Sequence, residues 1–211
     1  MSGGETRKTS GAAFENRTSH YRIPLLTEEE ARRALEKAGV PTVISSLNIS
    51  RALANSDLLI KIATQPTSLL MTQAEIEPRL RELIILRTAW NNACEYEWTQ
   101  HYHFARALGV SDDEIMAVKN WQSSDLFDED ATAVLELSDT LAKGNSVDDD
   151  VWGSLVSALG GEMLALEAAA IAGAWTMVAY VLKAARIPLE EGQPVWPPDG
   201  TKPQNARAAG S

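Results

Sequence analysis

Apolar positions along this chain recur every three to four residues, and capping residues mark where the runs begin and end, which predicts an all-α fold with no strand. Thr27 followed by Glu28, Glu29 and Glu30 reads as a capping box, opening a helix that runs to about Ala38, where Gly39 and Pro41 stop it. Between Val43 and Leu70, the positions Leu53, Leu58, Leu59, Ile62 and Ala63 predict one or two helices, with Pro66 breaking the run. A new start near Glu75–Pro78 leads through Leu80, Leu83, Ile84 and Leu86 to a break at Asn91 and Asn92. The following helix carries Tyr96, Trp98, His101, Phe104, Ala105 and Leu108 and stops at Gly109. Ser111 to Glu114 is a second capping box, for a helix to about Trp121, and further helices are read over 128–143 and 146–159.

The last long element, 160–187, is dense in Ala with Leu, Ile, Val and Trp on every side. Its length tempts a membrane reading, but Glu162, Glu167, Lys183 and Arg186 argue for a buried helix. A helix apolar all round must be covered all round, and a small domain seldom encloses one fully, so the expectation is burial at a subunit interface. Pro188 is expected to end it. The division that follows is a flexible arm over 1–20, one all-α domain over 21–187, and an extended or disordered tail over 188–211.

Composition narrows the function classes. With 211 residues, 45% of them hydrophobic, there is enough apolar material for one domain with a sizeable core. A formal net charge of −10 disfavours binding to nucleic acid or to an anionic membrane, both of which reward an excess of Lys and Arg. A single cysteine excludes an intrachain disulfide, and the N-terminus lacks the continuous apolar segment of a secretory signal, so a cytoplasmic location is expected. No Gly-rich phosphate loop follows a strand, and no G-x-S-x-G occurs.

The chemistry concentrates in 82–101. Cys94, Glu97 and His101 stand at i, i+3 and i+7, so on a helix a thiol, a carboxyl and an imidazole share one face. Such a set can move protons near neutral pH. The bland alternatives stand beside it: Cys94 as a small core residue, and Glu97 with His101 as a surface pair one turn apart. A break at Asn91–Asn92 would place Cys94 at the positive end of a helix dipole, which lowers a thiol pKa. Glu82 lies among large apolar residues, where an inward carboxyl needs a partner or a proton. Glu97 and His101 with Glu82 or Cys94 make a poor metal set, and none is expected. Arg87 suits either a substrate carboxylate or a structural ion pair. Trp90, Trp98, Trp121, Trp152 and Trp175 suit either a pocket or a core.

Glu82, Cys94, Glu97 and His101, followed by Ala105 and the run from Gly109 to Ile115, resemble the carboxymuconolactone decarboxylase family, which includes the alkylhydroperoxidase D-like proteins. The resemblance covers roughly 50–185. It implies an alkylhydroperoxidase D-like helical fold assembled as a trimer or hexamer. In the peroxidase branch the pattern holds a Cys-x-x-Cys pair; here Glu97 stands at the second cysteine, and the redox cycle of that branch does not carry over. The Cys-Glu-Tyr-Glu-Trp-x-x-His form is similar to the decarboxylase side, where a Glu and a His are the acid/base groups. The resemblance therefore implies cofactor-independent acid/base catalysis on a small organic acid, lactone or carbonyl compound. Its catalytic candidates are His101, Glu97, Glu82 and Cys94, and Tyr96, Trp98 and Arg87 are candidates for binding substrate. In that scheme His101 transfers the proton, Glu97 orients it and Glu82 holds the network. Two rivals remain: a single-cysteine thiol peroxidase or reductase using Cys94, and a non-catalytic helical assembly module.

Overall fold

A computed structural model of the protein describes residues 21–144, 146–193 and 197–203; the expected arm over 1–20 lies outside them. Among the described residues the fold is all helical. The helices are α1 (Glu28–Ala38), α2 (Asn48–Leu53), α3 (Asp57–Gln73), α4 (Pro78–Asn91), α5 (Glu95–Ala107), α6 (Asp112–Ala117), α7 (Glu129–Ala142), α8 (Asp149–Leu159) and α9 (Glu162–Ala185), with short 3₁₀ turns at Thr42–Ile44 and Val118–Ser123. The Thr27 capping box forms: its hydroxyl accepts from the Glu30 N–H while the Glu30 carboxylate accepts from the Thr27 N–H. Ser111, Asp128 and Asp148 cap their helices in the same N-terminal manner.

The helix enclosed on all sides is α4. Every residue from Leu80 to Ala89 is buried, and α5, α7 and α9 pack around it. A surrounded helix tolerates charge only where each charge has a partner. Arg87 meets this by forking onto both carboxylate oxygens of Asp139, at 2.5 and 2.9 Å, and donating to the carbonyls of Val118 and Lys119. Asp139 in turn accepts from Asn91, Trp121 and Gln122, which ties α4, α7 and the Val118–Ser123 turn together.

One expectation is corrected here. Pro66 does not break its run: α3 passes through it, because Ile60, Ala63 and Thr64 are buried against neighbours and that packing outweighs a local cost of about 3 kcal/mol. Within the chain itself α9 is covered on one side. Its small residues and Trp175 face α3, α4, α7 and α8, while Met163, Leu166 and Tyr180 are exposed. Among the described residues it is the one helix long and apolar enough to cross a membrane. The described part of the tail is irregular but anchored. Asn48 donates to the carbonyls of Pro188 and Leu189, and the Glu190 carboxylate accepts from the Asn48 N–H, the Tyr96 hydroxyl and the Gln100 amide. Farther on, Lys119 pairs with Asp199.

Candidate active site

The site is assembled where α4, α5 and α9 meet. The α4–α5 connection is a tight reversal. Asn92 closes α4, Ala93 takes a left-handed conformation at φ 50°, and Cys94 precedes the first residue of α5. This turns α5 back along α4, so that Glu82 in the second turn of α4 faces His101 in the second turn of α5.

The His101 ring is held from both sides. Its Nδ1 lies 2.7 Å from Glu82 Oε2, and the Trp175 indole N–H, from α9, donates to its Nε2 at 2.7 Å. An indole N–H can only donate, so Nε2 offers its lone pair and the ring proton sits on Nδ1, donated to Glu82. Behind it, Arg81 Nε lies 3.4 Å from Glu82 Oε1 and its guanidinium also donates to the Met71 carbonyl. Glu82, His101 and Trp175 thus form a closed relay in which both imidazole nitrogens are engaged. The rings of Trp175 and Phe104 pack against His101 with centroids 5.5 Å away.

Glu97, one turn before His101, has the opposite character. It is 2% exposed, and neither carboxyl oxygen has a hydrogen-bond partner. Burial pushes its pKa well above the usual carboxylate range, opposed by the charge of Lys183, so the group is held as the neutral acid. Carboxyls arranged only for stability are paired; this one is buried and left unpaired.

Glu97 and His101 share a wall of a cavity of about 280 Å³ bounded by α2, α3, α5, α9 and the turn before α2. Tyr96, Gln100, Phe104 and Trp175 lie on the same side, and Thr64 and Thr67 from α3 face them amid largely apolar walls. The volume is near the small end of ligand pockets, which run from roughly 300 to 1,000 Å³.

The sequence-derived candidates therefore separate. Glu97, His101 and Tyr96 line the cavity, and Glu82 stands behind His101. Cys94 does not line it. At 1% exposed, its thiol pKa is pushed up by burial and by the nearby Glu97, which corrects the expectation of a lowered value; desolvation outweighs the helix terminus. Trp98 is wholly buried against Trp90, and Arg87 is committed to Asp139, so neither reaches the cavity. Of the five tryptophans named above, Trp175 alone lines it. Its role as the partner of His101 had no local signal, since 74 residues separate them. The one clue was a large side chain with a polar handle in a helix of mostly small residues. Among the described residues, no three His, Cys, Asp or Glu side chains converge as a metal would require.

Comparison with known proteins shows what the chain is similar to. Uncharacterized protein YdfG of Bacillus subtilis (strain 168) is 30% identical over 82 residues, 38% of this chain, and the chain spans only 56% of that relative's length. An uncharacterized peroxidase-related protein from Silicibacter sp. TM1040 superposes with a TM-score of 0.67 at 17% identity, covering 85% of this chain and 98% of that one. A cysteine-to-alanine variant of the debrominase Bmp8, in complex with 2,3,4-tribromopyrrole, superposes with a TM-score of 0.64 at 18% identity, covering 82% and 94% of the two chains. At such identities these structures establish the shared helical fold. Residues 67–140, which hold Glu82, Cys94, Glu97 and His101, match the model of the carboxymuconolactone decarboxylase family.

Proposed function

We propose that the protein is a cofactor-independent acid/base enzyme acting on a small organic acid, lactone or related carbonyl compound, with Glu97 as the group that moves the proton. The observation that carries this reading is a buried carboxyl, unpartnered at both oxygens, on a residue that lines a largely apolar cavity. A buried neutral acid is primed to donate. Once it has done so, its carboxylate stands in a site that hydrates it poorly and takes a proton back readily. This reverses the roles expected from the sequence. His101 has no free nitrogen and serves as a positioning residue, keeping α5 and α9 aligned around Glu97; it joins proton transfer only if Trp175 releases Nε2.

A thiol peroxidase is disfavoured by the same geometry, because Cys94 is buried away from the cavity and its thiolate is suppressed. The test is turnover of a panel of lactones and enolisable carbonyl compounds by the wild type, Glu97→Gln and Cys94→Ser. Positioned acid/base groups contribute roughly 10²–10⁴-fold, so Glu97→Gln should lose at least about 100-fold while Cys94→Ser stays close to wild type. The converse pattern would overturn the proposal.

A further inference from the structure

Resting on that reading of Glu97, we infer that the cavity takes an uncharged ketone, aldehyde or lactone, and that Glu97 enolises it using both carboxyl oxygens at once. The first part follows from the lining. Among the described residues no Lys or Arg borders the cavity. The cations nearby are committed elsewhere: Arg81 to Glu82 and the Met71 carbonyl, and Lys183 to the Asn92 carbonyl. Most of the hydrogen-bond donors on the wall are also spent. Trp175 donates to His101, Tyr96 and Gln100 donate to Glu190, and the hydroxyls of Thr64, Thr67 and Thr72 each donate to a carbonyl of their own helix. A carboxylate entering here would give up its hydration and receive little in return. A carbonyl oxygen asks for one or two donors, and two residues on this wall carry a buried oxygen without a partner, the Glu97 acid and the Ser50 hydroxyl, each of which meets a substrate once its side chain turns toward the cavity.

The second part follows from the two free oxygens of Glu97. The protonated oxygen gives its hydrogen to the substrate carbonyl oxygen while the other oxygen takes a hydrogen from the carbon beside the carbonyl. The C–H electron pair becomes the new C=C bond, and the carbonyl π pair forms the O–H bond. Glu97 ends as the neutral acid it was, with its proton on the other oxygen, so neither a co-reactant nor a charged intermediate is needed. Run backwards at a carbon farther along a conjugated chain, the same step moves a double bond. Removal of carbon dioxide, which starts from a carboxylate, fits this lining less well than isomerisation.

The experiment uses the full chain, wild type and Glu97→Gln, with two probes of similar shape: butyrophenone, and benzoylpropionate, which carries a carboxylate at its far end. Binding is read by quenching of tryptophan fluorescence, Trp175 being on the wall. Catalysis is read as deuterium incorporation beside the carbonyl in heavy water. Butyrophenone should bind at least about tenfold more tightly than benzoylpropionate, and it should take up deuterium with wild type but not with Glu97→Gln, which should still bind it. Equal or tighter binding of benzoylpropionate would overturn the uncharged class; if it also exchanged in a Glu97-dependent way, the acid/base reading would stand alone. Preferential binding of butyrophenone without Glu97-dependent exchange would remove the two-oxygen step and leave the binding inference in place.

Discussion

Replacing Glu97 by Met should make the protein more stable, a direction opposite to that of most core substitutions. Glu97 occupies the third position of α5, where an exposed glutamate would favour the helix dipole by about 0.3–1 kcal/mol and its loss would destabilise. Here the carboxyl is neutral, so there is no dipole term to lose. What remains is a buried polar group without partners, which costs about 1–3 kcal/mol. Met has similar length, similar helix propensity and no group to desolvate. The variant should therefore gain about 1–3 kcal/mol, an upward shift of the melting temperature of roughly 2–12 °C for a domain of this size. The pH dependence has a defined sign. Because burial raises the folded-state pKa, the folded form holds the proton more tightly than the unfolded chain, whose pKa is near 4.5. Wild-type stability should therefore be highest below that value and fall as pH rises through the raised one, while the variant shows no such component. Thermal denaturation followed by circular dichroism between pH 5 and pH 8 reads both effects. A destabilised variant, or a gap that narrows with rising pH, would show that Glu97 is partnered or ionised in the fold, and the case for a primed acid would fall with it.

Other outcomes follow from the same geometry. Trp175→Phe strips His101 Nε2 of its donor and should cost about 1–3 kcal/mol in urea denaturation, with no loss if the indole contact is incidental. Arg87→Ala leaves Asp139 buried without its main partner and should cost about 3–5 kcal/mol while sparing the cavity; an unaltered midpoint would contradict that anchoring. Against burial, which raises it, Arg87, Asn91 and Trp121 hold the Asp139 pKa below its ordinary 3.8, so this anchor stabilises above that pH and weakens as acid titrates the folded form. Cys94 should react with a thiol reagent on the order of 100-fold more slowly in the native protein than in the unfolded chain, and rapid native labelling would reopen the thiol reading.

What the sequence disclosed follows the range of each interaction. The convergence of Glu97 and His101 is a matter of helical spacing and needed no tertiary information, nor did the capping box at Thr27 or the N-cap at Ser111. Trp175 could not be assigned as the partner of His101, because only the packing of α9 on α4 brings them together. Cys94 misled for a physical reason: a helix terminus acts locally and shows in the sequence, whereas desolvation depends on everything packed above it. Likewise Pro66 was judged by intrinsic preference, and burial of α3 overrode it.

The Glu190 contacts bear on how the protein is made. The start of α2, which walls the cavity, donates a backbone hydrogen bond to a carboxylate 142 residues downstream. A ribosome emits the chain from its N-terminus, so α2 emerges long before the carboxylate that fastens it. Until residue 190 is free to return, Tyr96 and Gln100 lack their acceptor and one side of the chamber is unbraced. The cavity is thus among the last parts of the molecule to be completed, and a nascent chain stopped short of its tail would lack the carboxylate that joins α2 to α5.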